Sequence, residues 1–230
     1  MTVNGRDGYV GIWNATAQDL ARDGGLNTIT DLAARTSQTC YMRGVAEKLR
    51  IQTSSGSPWF HRRLCFALKS GIPLATGDTS ASVTNITYAD TSSGMQRLWL
   101  NLAINTSPIT TAGVQNLVFK GTQGIDWNDA MVAMTDTAQV SIKYDRCRTY
   151  RSGNANGTVA ESNLWHGMNK NLVYGDDESG QTNSTSYIST DGRPGMGDYY
   201  IMDIIQPGTG ATVNDLLRIN SSTTLYWHEK

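Results

Sequence analysis

Charge is scarce in this chain of 230 residues: Asp, Glu, Lys and Arg together make up 17%. Nineteen basic residues against twenty acidic ones leave a formal net charge of −1. No global basic field therefore advertises nucleic acid, and any basic surface has to be local. Histidine is limited to His61, His166 and His228, so a metal–histidine site would have to gather residues from far apart. Cysteine is limited to Cys40, Cys65 and Cys147. An odd number at wide spacing, with no CxxC pair, argues against a disulfide framework and against zinc; it points to reduced, mostly buried thiols of an intracellular protein. No run approaches the apolar length of a membrane span and the amino terminus has no signal-peptide core, so no membrane partner is expected. GxxxxGK[ST], a GxGxxG opening a helix, HExxH and GxSxG do not occur. No internal repeat of roughly 20 to 50 residues is found either, which argues against a propeller or solenoid.

What the chain does have is 39% hydrophobic residues set among abundant Ser, Thr, Asn and Gly, the composition of many short strands joined by polar turns. Residues 14–25 predict a short helix, capped by Asn14 or Thr16 and ended by Gly24-Gly25. From Thr39 the pattern is that of strands. "TCYMRGVAEKLRIQT" alternates imperfectly, and "WFHRRLCFALK" alternates more cleanly, with an apolar side and a side carrying His61, Arg63 and Lys69. Further strands are expected at 97–105, 114–121, 138–151, 170–174, 197–206 and 216–229, with a short helix near Ile125–Met134 and long loops at 70–96 and 176–196. The run 197–206 is apolar on both faces apart from Asp203 and predicts a central buried strand. About eight unevenly spaced strands favour an all-β, single eight-stranded jelly-roll, a Greek-key β-sandwich with long loops and one or two short helices. The expected division is an N-terminal segment, 1–38, followed by the jelly-roll domain, 39–230.

Two groups of residues carry candidate chemistry. The run Asp176, Asp177, Glu178, with His166 nearby in sequence, is the one acid cluster that could hold a divalent cation. Three consecutive acids point in different directions on an extended chain, however, and a solvated turn after a strand explains them better. The basic residues are segregated: Lys48 and Arg50 on one strand, His61 and Arg63 beside Trp59 on the next, and Lys143, Arg146, Arg148 and Arg151 crowded into "KYDRCRTYR". Cations interleaved with aromatic rings suit single-stranded nucleic acid, where phosphates meet charge and bases stack. Ordinary sheet-surface charges paired with Glu47, Asp145 and the acidic loops explain them equally well.

Four segments bring a resemblance: "CYMRGVAEKLRIQTSSGSPWFHRRLCF" (40–66), "RSGNANGTVAESNLWHGMNKNLVYGDDESG" (151–180), "GRPGMGDYYIMDII" (192–205) and "LLRINSSTTLYWHEK" (216–230). In this order the chain resembles the capsid proteins of genomoviruses, fungus-associated viruses with circular single-stranded DNA, related to geminivirus coat proteins. The Trp-His-x-Met-Asn-Lys-Asn-Leu-Val-Tyr stretch running into an acidic turn is the most specific match. The resemblance implies a jelly-roll subunit that performs no reaction and carries no cofactor or metal. It implies self-assembly into a T=1 icosahedral shell of 60 copies around single-stranded DNA, in a virion assembled in the host nucleus. Lys48, Arg50, Trp59, His61, Arg63, Lys143, Arg146, Arg148 and Arg151 are then expected near DNA, and Asp176, Asp177 and Glu178 at a subunit contact or on a surface loop. The family's Arg-rich amino-terminal arm has no counterpart in "MTVNGRDGYVGIW", so a longer precursor or an omitted arm is expected. The competing expectation is a jelly-roll carbohydrate-binding module that stacks sugars on two or three of Trp13, Trp59, Trp99, Trp127, Trp165 and Trp227, placed on one exposed face.

Overall fold

The computed structural model describes residues 1–22, 25–28, 30, 33–69, 71–72, 87–91, 94–105, 108–180 and 182–229. Its framework is eight strands: β1 (Thr2–Asn4), β2 (Tyr9–Asn14), β3 (Thr39–Thr53), β4 (Trp59–Leu68), β5 (Ser141–Tyr150), β6 (Val159–Val173), β7 (Asp198–Pro207) and β8 (Leu216–Glu229). They form two antiparallel four-stranded sheets, ordered β1-β8-β3-β6 and β2-β7-β4-β5. Each of β1→β2, β3→β4, β5→β6 and β7→β8 crosses from one sheet to the other. That alternation is the jelly-roll connectivity expected from the sequence.

Membership differs from expectation even though the number of strands agrees. β1 and β2 belong to the two sheets, so the division at residue 38 does not separate two structures. The 97–105 stretch is not a sandwich strand. Asn101 Oδ1 accepts the Ala103 N–H at 3.1 Å and starts a short helix, α1 (Leu102–Asn105). The expected 114–121 strand is largely the end of α2 (Pro108–Val118): Pro108 opens it, and Val114 and Val118, one turn apart, face the core. The expected 125–134 helix is a set of turns, because Asp126 and Asp129 accept backbone N–H groups of Thr122 and Met131 and compete with helical pairing. At Asn14 the side chain accepts both the amide and the hydroxyl of Thr16, making a turn where a helix cap was expected. Part of the 70–96 loop lies outside the described residues; Tyr88–Thr91 and Gly94–Arg97 form a small ladder at its end.

The β2-β7-β4-β5 sheet is covered on both faces, which explains why β7 is buried along most of its length. On one side Ile12, Leu64, Phe66, Met202 and Ile204 pack against α1, α2 and the 119–140 segment. On the other side, towards the first sheet, apolar clusters around Ile51, Trp59 and Ile205, and around Val45, Cys65 and Ile201, flank a buried set of charges. Arg63 forks onto Asp203 at 2.7 and 3.0 Å and also reaches Glu47 on the opposite sheet. Arg97 donates to Asp203 at 2.6 Å, and His61 Nε2 lies 2.7 Å from the same carboxylate. Two guanidiniums balance two carboxylates, so the layer closes without net charge among them. The clustered cations hold the Asp203 carboxyl well below its ordinary value despite complete burial.

β3 keeps its long alternation because a bulge resets its phase. Arg43 and Gly44 together oppose Tyr226 of β8, so Met42 and Val45 both turn inward. Gly44 has φ 151° and lies against the His166 carbonyl, with no room for a side chain.

Removing one member of the buried set strands its opposite charges. Asp203→Ala is expected to lose about 3–5 kcal/mol in urea unfolding, against less than about 1.5 for removing the half-exposed Asp145 carboxylate that pairs with Arg62. A second check uses His166, buried on β6, where desolvation and nearby Arg63 push its pKa down from 6.5 to about 4. Between those values the unfolded chain holds a proton that the folded chain lacks. Stability should therefore fall as pH drops from 6.5 towards 4, by up to about 1.4 kcal/mol per pH unit. Urea titrations across that window should show this slope flattened in His166→Gln; an unchanged slope would assign it to other groups.

Candidate nucleic-acid interface

Because β3 is central in its sheet, its outward side chains sit in rows between those of β6 and β8. The register sets the rows as Val159–Gln52–Arg218, Glu161–Arg50–Asn220, Asn163–Lys48–Ser222, Trp165–Ala46–Thr224 and Gly167–Gly44–Tyr226. Successive rows are two residues apart, about 7 Å along the strands. Lys48, Arg50, Arg218 and Arg43 are exposed on this face, against the single carboxylate Glu161. Glu161 pairs with Arg50 at 2.9 Å, but both are solvated, so the pair contributes little. A shallow depression of about 470 Å³, lined by Lys48, Arg50, Glu161, Asn163, Asn220 and Ser222, lies across the basic rows.

Aromatic rings stand beside the cations. Trp165 is 55% exposed and Tyr226 48%, with ring centroids 5.8 Å apart. The indole lies over the backbone of Gly44 and Gly167, where the missing side chains leave it a floor. Farther along the same sheet Tyr41 stacks on His228 at 6.5 Å. Cations in rows beside an open indole are the elements of a platform for single-stranded nucleic acid.

The structure divides the expected DNA-facing set. Lys48 and Arg50 lie on this platform. Trp59, His61 and Arg63 do not: all three are buried between the sheets, Trp59 fully, and Arg63 and His61 are held by Asp203. Their strand has no basic outer side, because the face carrying them looks into the sandwich. Lys143, Arg146, Arg148 and Arg151 sit on or just past β5, a different edge of the molecule. Lys143 and Arg151 are exposed. Arg146 and Arg148 line a cleft towards β6, where Arg148 donates to Ser162 Oγ at 2.6 Å. The cleft holds about 10 Å³, too little for a base.

The acid run also divides. Asp176 is taken by the buried Arg35 in a two-pronged pair, both bonds 2.6 Å, and accepts the Ser186 amide at 2.8 Å. Arg35 in turn lies 3.9 Å over the Tyr174 ring. Asp176 is therefore a clamp fastening the loop, and only Asp177 and Glu178 are exposed, on the small ladder Asp177–Ser179 with Thr182–Ser184. His166 is buried against Cys65, Tyr144 and Tyr199, which removes it from any acid–base pairing with those carboxylates at the surface. Cys40 and Cys65 are buried and Cys147 is exposed.

Sequence reasoning missed Arg43, Arg218 and Tyr226, and counted Trp165 only as a possible sugar platform. The strand alternation carried a signal for Trp165, since His166 and Leu164 point inward on either side of it; Arg218 and Arg43 needed the register. Among the described residues no helix is long and apolar enough to cross a membrane. No protein-family model matches the chain, and no curated protein matches it.

Binding of a fluorescent oligothymidine, measured against salt, tests the platform. Each phosphate contact contributes roughly 0.7 to the log–log salt slope of a single strand, so Lys48→Ala/Arg50→Ala should lower the slope by about 1.4. Trp165→Ala should cost about 1–3 kcal/mol of binding while leaving the salt slope unchanged. If all three side chains can be removed without effect, the platform is not the binding face.

Proposed function

We propose that the chain is a capsid subunit of the genomovirus kind, assembling with copies of itself into a T=1 shell around circular single-stranded DNA, in a virion formed in the host nucleus. The observation that carries the reading is the strand order, a complete jelly roll of the type that viral shells use, found in a chain whose segments resemble genomovirus capsid proteins in sequence order. A fold of this kind serves many functions, so the surface has to argue as well. The Lys48–Arg50–Trp165 face supplies local positive charge on a chain of net charge −1, which is what contact with a packaged strand requires.

A carbohydrate-binding module is the second reading, and the exposed Trp165–Tyr226 pair is the one observation in its favour. A sugar platform would gather several tryptophans on one face. Here Trp13, Trp59 and Trp127 are buried, Trp99 and Trp227 are half-buried, and only Trp165 is exposed. That distribution supports a shell subunit, with tryptophans spread through the core and boundaries.

Electron microscopy of the purified protein, followed by nuclease digestion and extraction of protected nucleic acid, tests the proposal. Uniform small icosahedral particles containing nuclease-resistant single-stranded DNA are expected. A stable monomer that retains specific sugar binding would overturn it in favour of the second reading.

A further inference from the structure

Alternation gives β6 two working sides. Glu161, Asn163 and Trp165 point onto the basic platform, while Ser162 and Leu164 between them point into the sandwich towards β5. β6 is the edge strand of one sheet and β5 the edge strand of the other, so the cleft between them opens at the side of the molecule.

Two guanidiniums stand at the mouth of that cleft, Arg146 exposed and Arg148 half-buried. Across the β4–β5 ladder Arg146 lies opposite Arg63, and Arg148 opposite His61, all four on the sandwich side of the sheet. The inner pair is saturated: Arg63 by Asp203 and Glu47, His61 by Asp203. The outer pair is not. Arg148 has one neutral partner, Ser162 Oγ at 2.6 Å, and among the described residues neither Arg146 nor Arg148 pairs with a carboxylate. Asp145, next to Arg146 in the chain, is turned to the opposite face, where Arg62 holds it at 2.7 and 2.9 Å. Two uncompensated guanidiniums two residues apart on one strand attract an anion from outside the chain, and their forks suit phosphate oxygens. The cleft behind them, about 10 Å³, admits no ring, so the anion has to stay at the mouth.

We propose that Arg146 and Arg148 form a second phosphate anchor for the single strand held on the platform. The strand lies across Lys48 and Arg50, passes over β6 beside Trp165, and sets its backbone phosphates against the two guanidiniums. The anchor extends the platform reading and rests on it. It gives the bound strand a direction, out over the β6 side, and adds a contact that reads no base. The same strand is the favoured occupant because β6 alone separates the two sites: Ser162, which holds Arg148, sits between Glu161 and Asn163 of the platform. Glu161, the one carboxylate on the way, is already paired with Arg50.

Salt-dependent binding of oligothymidines of about 4 and about 16 nucleotides, the span of single-strand site sizes, tests the anchor. Arg146→Ala/Arg148→Ala is expected to lower the log–log salt slope of the longer strand by about 1.4, two contacts at roughly 0.7 each, and to leave that of the shorter strand unchanged. Arg146→Ala alone, which removes an exposed side chain, should lower it by about 0.7 with no change in melting; this covers the case in which losing the Arg148–Ser162 bond disturbs the fold. Arg146→Lys/Arg148→Lys should keep the slope and weaken binding, because an ammonium cannot fork onto a phosphate. A longer strand indifferent to the arginine variants, with Lys48→Ala/Arg50→Ala still lowering its slope, would overturn the anchor and leave the platform standing. Indifference to both pairs would overturn the two together. An unchanged slope accompanied by loss of particles would overturn the anchor and assign the arginines to a carboxylate of a second copy of the chain.

Discussion

Between the two sheets, in a layer closed to water, the Asp203 carboxylate receives Arg63, Arg97 and His61, while Arg63 reaches on to Glu47 of the opposite sheet. Burying charges is costly unless each is matched, and here the matching runs across three separately positioned segments: β3, β4–β7 and the 94–97 ladder. Sliding one sheet over the other would strand Glu47 from Arg63, so the matching favours this one registry. The apolar clusters on either side supply burial, but apolar side chains tolerate displacement in a way that a forked guanidinium does not. We read the charge layer as what specifies the alignment of the sandwich.

That alignment decides which residues remain for function. By drawing His61 and Arg63 inward, with Arg62 buried on the other face, it removes the basic surface that the β4 sequence advertises. The third layer of helix and turns covers the other face of the same sheet, held by Arg62, which donates to the Ala130 and Ala133 carbonyls at 2.7 and 2.8 Å. The outward face of the β1-β8-β3-β6 sheet is left as the broad strand surface open to solvent. Its cations and its Trp165–Tyr226 pair share that one face.

Several errors of sequence reading share one cause. Short polar side chains that bond to nearby backbone override periodicity: Asn14, Asn101, Asp126 and Asp129 each redirect the chain where the apolar spacing predicted otherwise. The 97–105 run looked like a strand from alternating leucines, yet Leu102 alone among them is fully buried and Ile104 is exposed. The division of the acid run into a clamped Asp176 and exposed Asp177 and Glu178 was not legible, because Arg35 lies 141 residues from Asp176 in sequence.

From the sequence by itself came the fold class, long strands expected at 39–53, 59–69, 138–151 and 216–229 and observed within a few residues of those bounds, and the buried centre expected at 197–206, because side-chain alternation and two-sided apolarity are local properties of a strand. The placement of Lys48 and Arg50 on an exposed face was within its reach for the same reason. Only the tertiary structure decided that Trp59, His61 and Arg63 are interior and that Trp165 meets Tyr226. Those facts depend on which strands become neighbours and how far each partner extends, and pairing between segments more than a hundred residues apart leaves no mark in either segment alone.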